Sequence, residues 1–132
     1  SPDYNFLMVP DLGMDKIMIY KVDAKTGLLT PAEIPYEDVN PGAGPRHAEF
    51  HPNGRFLFLM EELSGAVSVF SFEDGKLKLL QNLPAHPFDY KYSKGSADIH
   101  VSPDGKFLYC SNRGDANFIT IFSINDETGM LT

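Results

Sequence analysis

Apolar residues along this chain fall into short runs of strand length, separated by turns rich in glycine, proline, asparagine and aspartate. The runs FLFLME (56–61) and AVSVFSFE (66–73) hold many of the β-branched and aromatic residues that favour strands. Apolar side chains occur on both faces of these runs, as in a sheet that is covered on two sides. No window keeps an i, i+3, i+4, i+7 apolar pattern over three turns, so no helix is predicted. The pattern therefore predicts an all-β protein.

The strand pattern recurs along the chain at a nearly constant interval. Pro2, Pro52 and Pro103 each stand in a polar turn before an apolar run, and they lie 50 and 51 residues apart. Gly44 and Gly95, upstream of the second and third runs, keep the 51-residue spacing. A period of this length is typical of propeller blades and exceeds that of leucine-rich, ankyrin or tetratricopeptide repeats. The fold class predicted is an all-β propeller of four-stranded antiparallel blades.

Three blade portions are predicted, at approximately residues 1–35, 44–83 and 95–132. In the second portion, HAEFH (47–51) should be the innermost strand and KLKLL (76–80) the outermost. Propellers typically need four or more blades to close, whereas 132 residues hold roughly two to three. We therefore expect the chain to be a segment of a longer propeller. Its expected neighbours are other segments of the same parent propeller or further copies of itself.

Charge and cysteine content narrow the range of partners. The formal net charge of −7 argues against nucleic acid and anionic membranes as general partners, but it leaves room for a local basic pocket that binds a small anion. The apolar runs are too short to span a bilayer. Cys110 is the only cysteine, which excludes an intrachain disulfide and a multi-cysteine metal site. A buried, inert thiol is expected there.

Three long phrases of the sequence resemble the seven-bladed propeller lactonases, a family that includes the bacterial propeller-type 6-phosphogluconolactonase and the carboxymuconate-cyclizing enzyme. They are VPDLGMDKIMIYKVD (9–23), GPRHAEFHPNGRFLFLMEELSGAVSVF (44–70) and GSADIHVSPDGKFLYCSNRGDANFITIF (95–122). The resemblance covers essentially the whole chain. It implies a seven-bladed ring and a cleft at the central channel where a lactone is opened or formed without a metal.

The resemblance also implies a catalytic set of one histidine, two arginines and one glutamate. Its first arginine matches Arg46, its glutamate matches Glu62, and its second arginine matches Arg113. Its histidine should lie on an inner strand upstream of Ser1, so this chain alone is expected to be inactive.

The positions of these residues also predict that they meet. Arg46 begins an inner strand and Glu62 ends the next, so antiparallel pairing should bring them to the same end of a blade. Arg113 occupies the position of Glu62 one repeat later. Glu62 could then activate water as a general base, while Arg46 stabilises the developing oxyanion. A purely structural ion pair between Arg46 and Glu62 is the alternative.

Other polar residues surround this predicted site. Arg113, His47 and Asp98 are candidates for binding substrate, although a hydrogen-bonded structural role is favoured for His47, as it is for His100. Glu61 is expected to face solvent or a neighbouring blade. His51 replaces the serine found in the other two turns and should cap its turn.

The function predicted is hydrolysis of a sugar lactone, with 6-phosphogluconolactone giving 6-phosphogluconate as the favoured case. The partner is then a small anionic lactone, and no metal or other cofactor is expected. The alternative is a non-catalytic propeller that binds a peptide or a polysaccharide, because one fold serves many functions. The expected location is the cytoplasm, with the periplasm as the alternative.

Overall fold

The computed structural model describes residues 1–87, 89–91, 95–115 and 117–132. Within those ranges the chain forms ten strands arranged in three antiparallel sheets. In chain order the strands are β1 (Phe6–Asp11), β2 (Lys16–Val22), β3 (Leu29–Asp38), β4 (Pro45–Phe50), β5 (Phe56–Glu61), β6 (Ala66–Glu73), β7 (Lys76–Pro84), β8 (Ser96–Val101), β9 (Phe107–Asn112) and β10 (Phe118–Ser123). The same ranges contain no helix with the length and apolar character that crossing a bilayer requires.

The second sheet contains four strands in the order β4-β5-β6-β7. The predicted four-stranded antiparallel sheet within residues 44–83 is therefore confirmed, with β4 at one edge and β7 at the other. The first sheet has the order β1-β2-β3, and the third has the order β10-β9-β8. In the third repeat, the fourth strand expected of a four-stranded blade is reduced, among the described residues, to an isolated bridge between Ile124 and Leu131. The all-β prediction is confirmed.

Two apolar cores lie on the two faces of the second sheet. Leu57 and Leu59 of β5 pack with residues of the first sheet, whereas Phe58 and Met60 pack with residues of the third. Every residue of β5 is buried, as the presence of apolar residues on both of its faces predicts. Cys110 lies in the core between the second and third sheets, where burial raises the pKa of its thiol to about 12. The prediction of a buried thiol is confirmed, and its inertness stays a prediction.

His51 caps the turn between β4 and β5, as predicted. Its Nδ1 accepts a hydrogen bond from the Asn53 amide at 3.2 Å. Its Nε2 therefore carries the proton and donates to the Gly105 carbonyl of the third sheet at 2.9 Å. One neutral imidazole thus joins equivalent turns of two consecutive repeats.

The same kind of phenylalanine–glycine contact joins the first sheet to the second and the second sheet to the third. The Phe6 ring lies against Gly75, so closely that a Cβ there would be 2.4 Å from Phe6 Cε1. The Phe56 ring covers Gly129 in the same manner, with the corresponding distance to Cδ1 being 2.5 Å. Phe107 follows Phe56 by one repeat and is 41% exposed. The third sheet therefore presents an uncovered ring where the first two sheets each bury one.

Candidate active site

The candidate site begins where β4 starts and β5 ends. Pro45 pairs with Glu61, and the register is irregular between Pro45 and His47, so Arg46 sits in a bulge. The backbone pairing continues past Glu61, because the Glu62 amide donates to the Gly44 carbonyl at 2.8 Å. Arg46 and Glu62 therefore emerge side by side from the second sheet.

The three predicted charged side chains come together at this point. Arg46 Nε lies 2.8 Å from Glu62 Oε2, and Arg113 Nη2 lies 3.0 Å from Glu62 Oε1. Arg113 follows β9 in the third sheet, so Glu62 bridges two sheets. The Glu62 side chain is 26% exposed, which leaves the cluster accessible to water. The convergence inferred from repeat spacing is present in the structure, while the catalytic roles of these residues stay predictions.

Arg46 is held from its other side by the third sheet and by His47. Its Nη1 donates to the Ala97 carbonyl at 3.0 Å and lies 3.2 Å from His47 Nε2. Because arginine can only donate, His47 Nε2 accepts and Nδ1 carries the proton toward Asp98 Oδ1, 2.8 Å away. The hydrogen bond from His47 is the largest of the effects that lower the pKa of Asp98. His47 and Asp98 thus extend the cluster along β4 and β8.

Two further residues, Glu49 and His100, complete this row. His100 Nε2 lies 3.1 Å from Asp98 Oδ2, and its Nδ1 lies 3.0 Å from Glu49 Oε2. Burial acts to lower the pKa of His100, but the nearby charges and hydrogen bonds of Asp98 and Glu49 outweigh it and raise that pKa. Sequence reasoning overlooked Glu49 and favoured a structural His100. The alternation of side chains along a strand could have identified both residues, because it places Glu49 on the same face of β4 as His47 and His100 on the same face of β8 as Asp98.

These side chains line a groove of about 470 Å³ between the first strands of the second and third sheets. Its lining residues are Pro10, Arg46, His47, Ala48, Glu49, Asp98, Ile99 and His100. Such a wall offers carboxylates, imidazoles and a guanidinium to a bound molecule, and these groups suit a ligand rich in hydroxyl groups. Within the described part of the chain, no set of three or more histidine, cysteine, aspartate or glutamate side chains is arranged to hold a metal ion.

Glu61 is placed differently from the expectation. Its side chain is buried, with 1% exposure, and so does not face solvent. Ser64 Oγ and Ser68 Oγ each donate to the carboxylate at 2.6 Å, and Asn82 Nδ2 donates at 3.0 Å. Three donors replace the water that a buried carboxylate loses, so the expectation that Glu61 faces solvent was wrong, whereas its position toward a neighbouring blade stays a prediction.

Comparisons with known proteins identify relatives of this chain. The family model described as lactonase, 7-bladed beta-propeller, matches residues 1–132. The chain is 38% identical over 134 aligned positions to the 6-phosphogluconolactonase of Serratia proteamaculans, covering 100% of this chain and 40% of that protein. It is 45% identical over 135 positions to the 6-phosphogluconolactonase of Formosa agariphila, covering 99% of this chain and 37% of that protein.

Solved structures show the same likeness. The structure of the periplasmic gluconolactonase of Pseudomonas aeruginosa matches with a TM-score of 0.94 at 39% identity. The match covers 99% of this chain and 37% of that chain. The chain thus spans less than half the length of each of these relatives.

Proposed function

Since the chain belongs to the seven-bladed β-propeller lactonase family, we propose that it contributes Glu62, Arg46 and Arg113 to a site that hydrolyses a sugar lactone. The observation that carries the proposal is the position of the Glu62 carboxylate, held between two guanidinium groups, of which that of Arg46 lines the groove.

The proposed reaction uses Glu62 as the general base. Its carboxylate takes a proton from a water molecule, and the water oxygen bonds to the lactone carbonyl carbon. Arg46 stabilises the oxyanion that forms, because a guanidinium donates hydrogen bonds from a fixed fork. The carbonyl then re-forms, the ring carbon–oxygen bond breaks, and the proton held by Glu62 passes to the ring oxygen. The product is the open hydroxy acid.

Arg113 and the remaining groove residues are proposed to bind the substrate. Arg113 is 52% exposed and is suited to an anionic group. His47 and Asp98 can exchange their mutual hydrogen bond for bonds to substrate hydroxyls. The names of the Serratia and Formosa relatives favour 6-phosphogluconolactone, whereas the Pseudomonas relative is named for gluconolactone. We favour the phosphorylated lactone and a cytoplasmic location, with the periplasm as the alternative because that same relative is periplasmic.

The proposal is tested by Glu62→Gln in the protein at its full natural length. Glutamine keeps the shape of the side chain but cannot act as the base, so kcat should fall roughly 100-fold or more. Glu33→Gln, at an exposed position on β3, is the matched control and should keep the parental rate. Rates are measured with 6-phosphogluconolactone and gluconolactone, corrected for spontaneous opening. Parental turnover in Glu62→Gln would contradict the role of Glu62, and a parent protein that opens neither lactone would favour the non-catalytic alternative.

A further inference from the structure

A loop just before β4 wraps its backbone amides around one carboxylate of the first sheet. Asp15 lies in the turn between β1 and β2, and its Oδ2 accepts a hydrogen bond from the Gly42 amide at 2.7 Å. Its Oδ1 accepts one from the Gly44 amide at 2.9 Å. Backbone amides of one loop that converge in this way form a concave site for an anion, which Asp15 fills. The first sheet is thereby tied to the segment that enters the second.

The same loop touches the candidate site directly. The Gly44 carbonyl accepts the hydrogen bond of the Glu62 amide, and Gly44 stands two residues before Arg46. The Ala43 carbonyl accepts from Leu63 and Ser64, both at 3.1 Å. Gly44 is therefore bonded to both residues: its amide donates to the Asp15 carboxylate, and its carbonyl accepts from the Glu62 amide.

The loop has little freedom to take another position. Gly44 has a φ of +65°, a left-handed value that favours glycine, and a Cβ there would lie 2.6 Å from Leu63 Cγ. Pro45, the next residue, is fully buried. The loop therefore cannot adjust around Gly44, and a displacement of Gly44 would also displace Arg46 and Glu62.

We propose that Asp15 is a positioning residue for the Arg46–Glu62 pair, an inference that rests on the proposed function. Asp15 does not contact the pair; it acts through Gly44. Gly65 stands at its position in the second repeat, so the next repeat lacks an equivalent carboxylate. The amides of Gly44 and Gly42 lower the pKa of Asp15, which keeps its carboxylate charged and accepting at neutral pH.

The test is Asp15→Asn in the protein at its full natural length. The asparagine amide group would face an amide donor of the loop, so one of the two hydrogen bonds is lost. Because Arg46 and Glu62 act in the transition state, kcat should fall roughly 10-fold while KM changes less than about 2-fold. Asp23→Asn is the matched control: Asp23 also accepts two backbone amides, from Lys25 and Thr26, and its pKa is also lowered, but it lies in the β2–β3 turn.

Amide hydrogen exchange supplies a readout that needs no turnover. In Asp15→Asn the amides of Gly42, Gly44 and Glu62 should exchange faster, while those of β6 stay as in the parent. Unchanged exchange at Gly44 and Glu62, or an unchanged kcat, would overturn the positioning role. A fall in activity that merely follows a lower unfolding temperature would also overturn it. If the parent opens no lactone, the proposed function fails, whereas the exchange measurement still decides whether Asp15 holds the loop.

Discussion

Glu61 and Glu62 follow one another at the end of β5, yet Glu61 is buried among hydroxyl and amide donors, whereas Glu62 is partly exposed and paired with two arginines. Glu61→Gln should therefore lower stability and leave kcat unchanged. Its new amide group would face the Ser64 hydroxyl, which donates to Glu61 and already accepts from the Ala66 amide. The mismatch should lower the free energy of unfolding by roughly 1–3 kcal/mol. Denaturant unfolding measures this change, with Glu33→Gln as the control. A loss of turnover at parental stability would contradict this division of roles.

Sequence reasoning succeeded for residues whose positions follow from strand ends and repeat spacing, and it failed for carboxylates whose positions are set by their hydrogen-bond donors. The meeting of Arg46, Glu62 and Arg113 follows from strand ends and a constant spacing. Glu61 was misjudged because charged residues are seldom buried, and its three donors come from different parts of the second sheet. The hydrogen bonds from the Gly42 and Gly44 amides to Asp15 link the first sheet to the segment that enters the second. The strand pattern of a single repeat does not predict them.

At the scale of whole strands and turns, the second sheet was predicted correctly because clear turn-forming residues separate its strands. Asn53-Gly54 and Asp74-Gly75 are short turn signals between runs of alternating or continuous apolar residues. The last strand of the third repeat was predicted less well, since only Leu131 pairs there, with Ile124. Three residues carry too little side-chain pairing to define a strand without a neighbour.

The contact between the Gly129 turn and the Phe56 ring gives a prediction at this scale. Gly129→Ala combines a left-handed φ of +73° with a Cβ that would lie 2.5 Å from the ring. Gly54→Ala is the control, because Gly54 has the same φ but a Cβ there would lie 3.8 Å from Pro2 Cγ, an ordinary van der Waals contact. Both variants carry the backbone strain, and Gly129→Ala should lose roughly 1–3 kcal/mol more stability because the ring must move. Equal losses in thermal or denaturant unfolding would show that the ring contact is not tight.

At the scale of the whole molecule, the two faces of the second sheet are covered, whereas the far face of the third is not. Four apolar side chains are exposed there on β9 and β10: Phe107 at 41%, Tyr109 at 38%, Ile119 at 64% and Ile121 at 58%. The buried counterparts Phe6 and Phe56 each pack on a glycine turn of the following sheet. The third sheet thus has the surface of an interior blade, which a chain covering 37% to 40% of its relatives' length leaves open.

We therefore predict that the isolated 132-residue chain associates, because contiguous apolar patches of this kind are rare on soluble monomers. Sedimentation velocity should show species larger than 14.7 kDa. Replacing Ile119 and Ile121 together by lysine should shift the population toward the monomer, since two charges cannot be buried against another copy without partners. Met14→Lys is the control, because Met14 is 53% exposed but lies in the β1–β2 turn of the first sheet. A monodisperse parental monomer, or an equal response to both sets of lysines, would mean that the β9–β10 face does not drive assembly.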